Sequence, residues 1–215
     1  MSEPLRLVVL ISGNGSNLQS IIDAIEAGRL NARILAVMSN NPRAYGLQRA
    51  RNHGIPDHAL DHRKFESREA FDRELQDYLD GMNPDFVVLA GFMRILGSHL
   101  VNHFHHRILN IHPSLLPHYK GLDTHLRALQ NRESEHGVSI HLVTAELDDG
   151  PILLQGRYPI EVSDKVADLQ KKGHALEHQM YPQLLQWISE HKIVIEENQI
   201  THEQVVLEKP LEFRP

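Results

Sequence analysis

Short, uninterrupted apolar runs alternate along this chain with segments of helical periodicity. Such runs occupy residues 7–11, 34–38 and 86–90. A strand that is apolar at every position is buried on both faces, as in a parallel sheet covered by helices. Between the runs, apolar residues recur at helical spacing at Leu18, Ile21, Ile22 and Ile25, and again at Phe71, Leu75, Tyr78 and Leu79. The alternation predicts an α/β, Rossmann-like fold, with a mostly parallel twisted sheet, right-handed crossovers and helices on both faces.

The pattern changes after Gly137. Residues 138–143 and 152–160 mix polar and apolar positions across a turn-rich segment, so we interpret them as late strands, with an antiparallel strand at the edge of the same sheet. A long amphipathic helix follows, with apolar residues at Val166, Leu169, Leu176, Met180, Leu184 and Ile188. We expect residues 1–190 to form one domain, and the polar tail, residues 191–215, to pack on it with room for a short hairpin.

Composition narrows the classes of partner. The net charge is −6 and the Lys and Arg residues form no basic block, whereas binding to a nucleic-acid backbone needs clustered cations. Cysteine is absent, which excludes disulfides and thiolate chemistry. No apolar run reaches the length that spans a membrane, and the N-terminus lacks the layout of a signal peptide. We therefore expect a cytoplasmic protein that acts on small molecules and binds neither nucleic acid nor membrane.

The first chemical motif is the run Ser12-Gly13-Asn14-Gly15-Ser16-Asn17, between the first predicted strand and the first predicted helix. Ligands of open parallel sheets bind at the carboxyl ends of strands, and glycines let an anion approach the free N–H groups of a helix N-terminus. The spacing is neither the dinucleotide fingerprint nor the Walker loop, so a single phosphate monoester is the better candidate ligand. The alternative is an ordinary turn in which Ser or Asn caps the helix.

The second motif, residues 110–117, follows the apolar strand predicted at 107–111. Side chains two apart on a strand point to the same face, so Asn110 and His112 are expected to stand together. Two prolines stiffen the loop that follows. An amide donor beside a titratable imidazole suits acyl-group chemistry, in which one group holds a developing oxyanion and the other moves protons. The alternative is a buried pair that satisfies backbone groups of the loop.

The third motif is the acidic turn Glu146-Leu147-Asp148-Asp149-Gly150-Pro151. Acids in tight turns are commonly just solvated turn formers. A functional role requires Asp148 to fold back toward His112, where a carboxylate would favour the protonated imidazole and fix its tautomer. Proximity of these two side chains is therefore the condition on which a catalytic role for Asp148 depends.

A competing motif, His174-Ala175-Leu176-Glu177-His178, matches the H-x-x-E-H pattern of inverted zinc peptidases. Two histidines four apart on a helix can bind zinc together, but nothing nearby suggests a third ligand, and sixteen histidines make chance matches easy. We expect no metal site, and we interpret His103, His105 and His106 as a solvated polar face. Arg94, after a predicted strand, either binds an anionic ligand or caps the strand end.

Four segments, taken together and in this order, resemble the folate-dependent formyltransferases. They are residues 11–18, 89–96, 109–117 and 146–151. The resemblance extends from Leu7 to about Trp187. The two middle segments are shared among enzymes that use 10-formyltetrahydrofolate, whereas residues 13–17 are typical of the branch that formylates glycinamide ribonucleotide.

The resemblance implies formyl transfer from 10-formyltetrahydrofolate, as co-substrate and without a metal, to the amine of glycinamide ribonucleotide in purine synthesis. Asn110, His112 and Asp148 would be the catalytic residues. Gly15, Ser16 and Asn17 would bind the phosphate of the ribonucleotide, and Glu177 its ribose. Arg68 would lie near the acidic tail of the folate, whose pocket would be lined by Met93, Arg94, Ile95, Leu96, Asn110, Thr144, Ala145, Glu146, Leu147 and Asp148. We expect a monomer or a weak homodimer.

Two places depart from the pattern of this family. Position 123 is Asp where the family leads us to expect His, and this acid would either alter the proton balance of the site or face solvent. Residues 164–173 are shorter and more basic than in the bacterial branch, so Lys171 and Lys172 would shift ligand contacts there.

Three other functions fit part of the pattern. A methionyl-tRNA formyltransferase shares the middle segments but needs an RNA-binding domain and a basic surface. A formyltetrahydrofolate hydrolase usually carries an N-terminal regulatory domain, whereas the first strand here is predicted from about Leu5. A non-catalytic module that binds a phosphorylated ligand predicts that His112→Ala leaves binding nearly unchanged, whereas an enzyme predicts loss of turnover with the fold intact.

Overall fold

A computed structural model describes residues 3–196 and 199–214. Within those ranges the strands are β1 (Leu5–Ile11), β2 (Ala32–Ser39), β3 (Asp57–Ala59), β4 (Phe86–Leu89), β5 (Ile108–His112), β6 (Glu135–Leu142), β7 (Ile152–Pro159), β8 (Ile193–Ile195), β9 (Ile200–His202), β10 (Val205–Val206) and β11 (Leu211–Phe213). The helices are α1 (Ser16–Glu26), α2 (Tyr45–Asn52), α3 (Arg68–Met82), α4 (Ser98–His103), α5 (Thr124–Gln130) and α6 (Val166–Ser189).

Eight strands form one sheet in the order β11-β7-β6-β5-β4-β1-β2-β3, which confirms the predicted fold class. β1 pairs in parallel with β2 on one side and with β4 on the other. Successive strands are therefore added first toward β3 at one edge of the sheet, and from β4 onward toward the opposite edge. In such sheets a crevice opens at the carboxyl ends of the strands at the point where the strand order reverses. The loops that follow β1 and β4 border this crevice.

The late antiparallel strand is β6, and its position differs from the expectation. It pairs antiparallel with both β5 and β7, so within the described sheet it alone runs against its neighbours. β7 covers its outer side, and β11 then adds in parallel to β7, so the antiparallel strand lies two strands in from the edge. The edge strand β11 is a three-residue segment in a polar tail, and such a segment carries too little periodicity to be predicted.

The core consists of two apolar layers, one on each face of the sheet. Along β1, Leu7, Val9 and Ile11 pack in the layer that contains α1 and α6, whereas Val8 and Leu10 pack in the layer that contains α3 and α4. All five residues are completely buried. The uninterrupted apolar run is thus explained by burial on both faces.

The tail forms more structure than a single hairpin. β8, β9 and β10 make a three-stranded antiparallel sheet, while β11 joins the main sheet. Trp187 of α6 lies against His202 of β9, with their ring centroids 5.7 Å apart. Residues 197, 198 and 215 of the tail lie outside the described residues, and the division at residue 190 stays a prediction.

Three further short elements escaped the sequence analysis. β3, α4 and α5 contain three, six and seven residues, which is too short for a periodic pattern to be recognised. Among the described residues, no helix combines the length and apolar character needed to cross a bilayer.

Tyr181 connects α6 to the centre of the sheet. Its ring is fully buried, and its hydroxyl lies 3.0 Å from the carbonyl oxygen of Leu89 and 3.1 Å from that of Leu109. Burial raises the pKa of this phenol well above its usual range, so the group stays a neutral donor. It therefore ties the long helix to β4 and β5, the strands that lead into the crevice.

The Tyr181→Phe variant should be less stable by about 1–2 kcal/mol, because two buried carbonyl oxygens lose their shared donor. Urea unfolding of the variant and the parent protein measures this difference. Tyr45→Phe, at a ring that is 54% exposed, is the matched control and should leave the free energy of unfolding nearly unchanged. Equal urea midpoints for Tyr181→Phe and the parent would contradict a stabilising role for the hydrogen bonds of this hydroxyl.

Candidate active site

The loop between β1 and α1 is held in a shape that requires glycine at position 15. Gly15 precedes α1 with φ of +74°, and a Cβ added to it would lie 2.8 Å from the Cα of Gly46. The N–H of Gly46 in turn donates to the carbonyl of Gly13 at 3.1 Å. The loop thus packs backbone to backbone against α2. The N–H groups in the first turn of α1 have no acceptor within the helix and are suited to an anion.

Arg49 of α2 holds this loop from outside. Its Nε donates to the carbonyl of Asn14 at 2.9 Å, and its Nη2 donates to the Asn14 side-chain oxygen at 3.0 Å. A positive charge therefore lies beside the predicted phosphate cradle.

Ser12 connects the cradle to the loop that follows β4. Its hydroxyl accepts from the N–H of Met93 at 2.8 Å and donates to the side-chain oxygen of Asn40 at 2.5 Å. The two loops expected to contact different ligands are therefore joined through the Ser12 hydroxyl, at the point where the sheet order reverses.

Glu177 of α6 reaches the same region. Both Glu177 and Asn17 are buried, and the Asn17 amide donates to the Glu177 carboxylate at 2.8 Å. The Asn17 side-chain oxygen has no hydrogen-bond partner among the described residues. The residues predicted to bind the phosphate and the ribose therefore lie side by side.

The flanking histidines of the zinc-like motif lie along α6. Their rings, His174 and His178, stack at 6.1 Å in a groove of about 440 Å³ that also contains Lys171. Across residues 3–196 and 199–214, no three His, Asp or Glu side chains are grouped as a metal site requires. The Glu177 carboxylate of this motif accepts a hydrogen bond from the Asn17 amide.

The register between β5 and β6 brings the second motif together with a further histidine. Asn110 pairs directly with His141, and His112 with Ser139. Residues that pair directly across an antiparallel ladder share a face, and so do residues two apart on one strand. Asn110, His112 and His141 therefore lie on one face of the sheet at its carboxyl edge, as was expected for the first two.

The His112 ring has different acceptors at its two nitrogens. Its Nε2 lies 3.0 Å from the carbonyl oxygen of Tyr119, and its Nδ1 lies 3.4 Å from Oδ2 of Asp148. A carbonyl can only accept, so Nε2 carries a proton. Nδ1 is consequently the nitrogen that faces the carboxylate.

Asp148 does fold back toward His112. Its residue has a positive φ of 49°, and its Oδ2 also accepts the N–H of Gly121 at 2.9 Å. The turn needs Gly150, because a Cβ there would lie 1.8 Å from the carbonyl oxygen of Leu142. The condition set by the sequence is thus met in the geometry, while the catalytic role stays a prediction.

His141 is the site residue that the sequence analysis missed. It is 2% exposed; its Nδ1 lies 2.8 Å from the carbonyl oxygen of Leu142, its Nε2 3.1 Å from Nδ2 of Asn110 and 3.7 Å from Oδ1 of Asp148. Burial lowers its pKa. One of sixteen histidines gives little signal, and the only pointer would have been the pairing of residue 141 with residue 110.

The predicted folate residues divide into exposed and internal groups. Met93, Ile95 and Leu147 are large apolar side chains at least half exposed, which suits a flat heteroaromatic ligand. By contrast, Leu96 is buried, and the Arg94 guanidinium lies 4.8 Å from the centre of the Phe71 ring. At these two positions mainly backbone groups remain available to a ligand.

The other members of that set lie on the surface or in the turn. Arg68 is exposed at the start of α3, and Ala145 and Glu146 are exposed in the loop after β6. The Thr144 hydroxyl donates to the Glu146 carbonyl at 3.3 Å. These residues border the same loop as Asp148, apart from Arg68.

The residues at both departures from the family pattern lie at or near the surface. Asp123 is exposed and precedes α5 in the left-handed region, with φ of 56°, so it faces solvent. Lys172 donates to Asp164 at 2.5 Å and to the Pro159 carbonyl at 3.0 Å, which neutralises part of the added charge. Lys171 remains exposed at the groove beside His174.

A second pair of histidines lies on the opposite face of the sheet. The rings of His125 and His136 are 5.2 Å apart, and neither Nε2 has a hydrogen-bond partner among the described residues. Burial, with smaller contributions from neighbouring histidines, lowers the pKa of His125 from 6.5 to about 4. Burial also lowers the pKa of His136. Both rings are therefore neutral at pH 7.

Comparison with known proteins gives a consistent result. A protein-family model described as formyl transferase matches residues 5–185. The chain is 50% identical over 194 residues to the phosphoribosylglycinamide formyltransferase of Escherichia coli K12, covering 90% of this chain and 92% of that protein. It is 40% identical over 193 residues to the enzyme of the same name from Haemophilus influenzae, covering 90% and 91%.

Solved structures agree with the sequence comparison. The phosphoribosylglycinamide formyltransferase of Coxiella burnetii superimposes with a TM-score of 0.93 at 48% identity, covering 99% of this chain and 100% of that one. Glycinamide ribonucleotide transformylase 1 of Symbiobacterium toebii gives a TM-score of 0.89 at 40% identity, covering 94% and 95%.

Acid should weaken the fold through His125. Between pH 6.5 and about pH 4 the unfolded chain binds a proton that the folded chain does not, so the free energy of unfolding falls as the pH falls through this window. For this partly exposed ring we expect a loss on the order of 2 kcal/mol. Urea unfolding at pH 7 and pH 4.5 should show a smaller loss for His125→Asn than for the parent.

The exposed His99 supplies the control for that pH dependence. His99→Asn should lose as much stability between the two pH values as the parent protein does. Equal losses for His125→Asn and the parent would show that the buried ring does not carry the effect.

Proposed function

This chain belongs to the formyl transferase family, and from that premise we propose that it transfers the formyl group of 10-formyltetrahydrofolate to the primary amine of 5-phosphoribosylglycinamide (glycinamide ribonucleotide) in purine biosynthesis. Enzymes of this family take the formyl group from a folate-derived donor. The observation that carries the proposal is the convergence of Asn110, His112 and Asp148 at the carboxyl edge of the sheet that also holds the glycine cradle.

The ribonucleotide would occupy the end of the crevice between α1 and α6. The phosphate would accept hydrogen bonds from the N–H groups at Gly15, Ser16 and Asn17, where the helix dipole favours an anion. Glu177 would accept from the ribose hydroxyls, since its carboxylate is already oriented by the Asn17 amide at 2.8 Å. The charge of Arg49 beside the cradle supports this orientation of the substrate.

The folate would lie between the loop after β4 and the loop after β6. The exposed side chains of Met93, Ile95 and Leu147 offer an apolar surface to the ring system. Backbone N–H and C=O groups of residues 93–96 and 144–148 would form hydrogen bonds with the polar edge of the folate ring. Arg68, an exposed cation at the start of α3, would meet the acidic tail of the folate where that tail extends toward α3.

The reaction exchanges one carbon–nitrogen bond for another. As the substrate amine attacks the formyl carbon, the carbonyl oxygen gains negative charge. Asn110 would donate through its Nδ2 and His112 through a protonated Nδ1 to that oxygen. Asp148, 3.4 Å from Nδ1, would stabilise the charged ring and hold a water that carries a proton from the amine to the departing folate nitrogen.

The contacts of His112 support Nδ1 as the nitrogen that would donate to the oxyanion. Because Tyr119 holds the proton on Nε2, the neutral ring has a bare Nδ1 and the charged ring has a second donor there. A protonated Nδ1 can therefore donate to the oxyanion, whereas the bare Nδ1 of the neutral ring cannot.

Transfer and hydrolysis are the two outcomes that an assay must separate. Purified protein with 10-formyltetrahydrofolate and the ribonucleotide should release tetrahydrofolate and form the formylated ribonucleotide only when both substrates are present. Release of formate without the amine acceptor would favour a hydrolase. Binding of the ribonucleotide with no turnover would favour a non-catalytic module.

Asn110→Ala should lower kcat by about 10²–10³-fold with little change in either KM, because the variant loses a donor whose hydrogen bond strengthens in the transition state. Steady-state kinetics with both substrates varied measures the effect. Asn102→Ala, at an exposed position on α4, is the control and should behave as the parent. A loss that falls mainly on KM would argue against an oxyanion donor.

A further inference from the structure

The chemistry above gives no task to His141, although this ring lies between two of the groups that the chemistry uses. Its Nε2 is 3.1 Å from Nδ2 of Asn110 and 3.7 Å from Oδ1 of Asp148. The ring is 2% exposed, so it does not act as a solvated surface group. A buried imidazole in contact with the proposed oxyanion donor calls for a physical explanation.

The contacts of His141 fix its tautomer. Nδ1 lies 2.8 Å from the carbonyl oxygen of Leu142, and a carbonyl can only accept, so Nδ1 carries a proton. In the neutral ring Nε2 is then a bare acceptor. This is the reverse of His112, in which the carbonyl of Tyr119 holds the proton on Nε2.

A bare Nε2 determines how the Asn110 carboxamide is turned. Only the NH₂ end of the amide can donate to it, so Nδ2 faces His141 and the amide oxygen faces away. An NH₂ group has two hydrogens, and His141 uses one of them. The second is left to donate to a ligand held in front of the strand.

The charge balance around His141 favours the neutral form. Burial is the largest influence and lowers its pKa, and the nearby His112 ring lowers it further. The Leu142 carbonyl and the Asp148 carboxylate act in the opposite direction and are outweighed. The geometry agrees, since Asp148 lies closer to His112, at 3.4 Å, than to His141, at 3.7 Å.

We propose that His141 is a positioning residue for formyl transfer: as a neutral acceptor it holds the Asn110 carboxamide with its NH₂ toward the formyl oxygen, and it leaves the Asp148 carboxylate to His112. The inference rests on the proposed function. Without the acceptor, the amide turns freely and presents its own oxygen to the oxyanion for part of the time, which is repulsive.

The experiment compares two substitutions of different hydrogen-bonding capacity. His141→Leu removes the acceptor, and we expect kcat to fall about 10–100-fold with both KM values within about twofold of the parent. His141→Gln retains an acceptor oxygen, and we expect it to recover most of the lost kcat. A ring with a merely structural role would not separate these variants in kcat while sparing KM.

A double-variant cycle tests whether the effect passes through the amide. In an Asn110→Ala background, His141→Leu should lower kcat by less than about twofold more, because the group that it positions is already gone. Independent effects would multiply instead. His136→Gln is the matched control, since His136 is on the same strand and 1% exposed but packs by Tyr158 on the other face. It should keep kcat within about twofold.

The outcomes distinguish this inference from the proposed function. If the parent protein does not transfer the formyl group, the function itself fails. If the parent transfers it but His141→Leu keeps full kcat, or His141→Gln is as poor as His141→Leu, or the effects multiply, the positioning role is overturned. Should His141→Leu not fold, ¹⁵N NMR of the parent at pH 7 decides: protonated Nδ1 with bare Nε2 supports the role, and a protonated Nε2 overturns it.

Discussion

The hydrogen-bonded register between β5 and β6 is the constraint on which the site depends. It sets Asn110 opposite His141 and His112 opposite Ser139, so that a carboxamide and two imidazoles share one face. A slip of one residue would turn every side chain of one strand to the other face. The register is specified because the alternate residues of both strands, such as Leu109 and Ile140, are buried under α6. Apolar packing on one side of the sheet thus fixes polar geometry on the other.

Backbone carbonyls give the two imidazoles opposite tautomers. Tyr119 holds the proton of His112 on Nε2, and Leu142 holds that of His141 on Nδ1. The nitrogen of each ring that is not held by a carbonyl, Nδ1 of His112 and Nε2 of His141, therefore faces the Asp148 carboxylate. A single carboxylate beside two rings favours charge on one of them, and burial keeps His141 neutral. The proposed chemistry needs this asymmetry, because one ring must donate through a charged form and the other must accept.

The sequence predicted what is periodic or local, and it missed what depends on pairing. Apolar runs such as residues 7–11 located the central strands because both of their faces are buried, and the glycine-rich and proline-framed segments located the two loops of the crevice. The closeness of Asp148 to His112 could be posed only as a condition, since it depends on a turn that closes against Leu142. His141 was missed because its importance comes from the residue opposite it. The edge strand β11 was missed because three residues carry no pattern.

The central claim is that charge on the formyl oxygen is met by donors already in place. The most direct measurement is the affinity for an unreactive mimic of the tetrahedral adduct, which joins the ribonucleotide and the folate through a carbon that bears a hydroxyl group. The parent protein should bind this compound about a hundredfold more tightly than the same compound without the hydroxyl, and Asn110→Ala should lose most of that preference. Equal affinities of the parent protein for the two compounds would contradict the account.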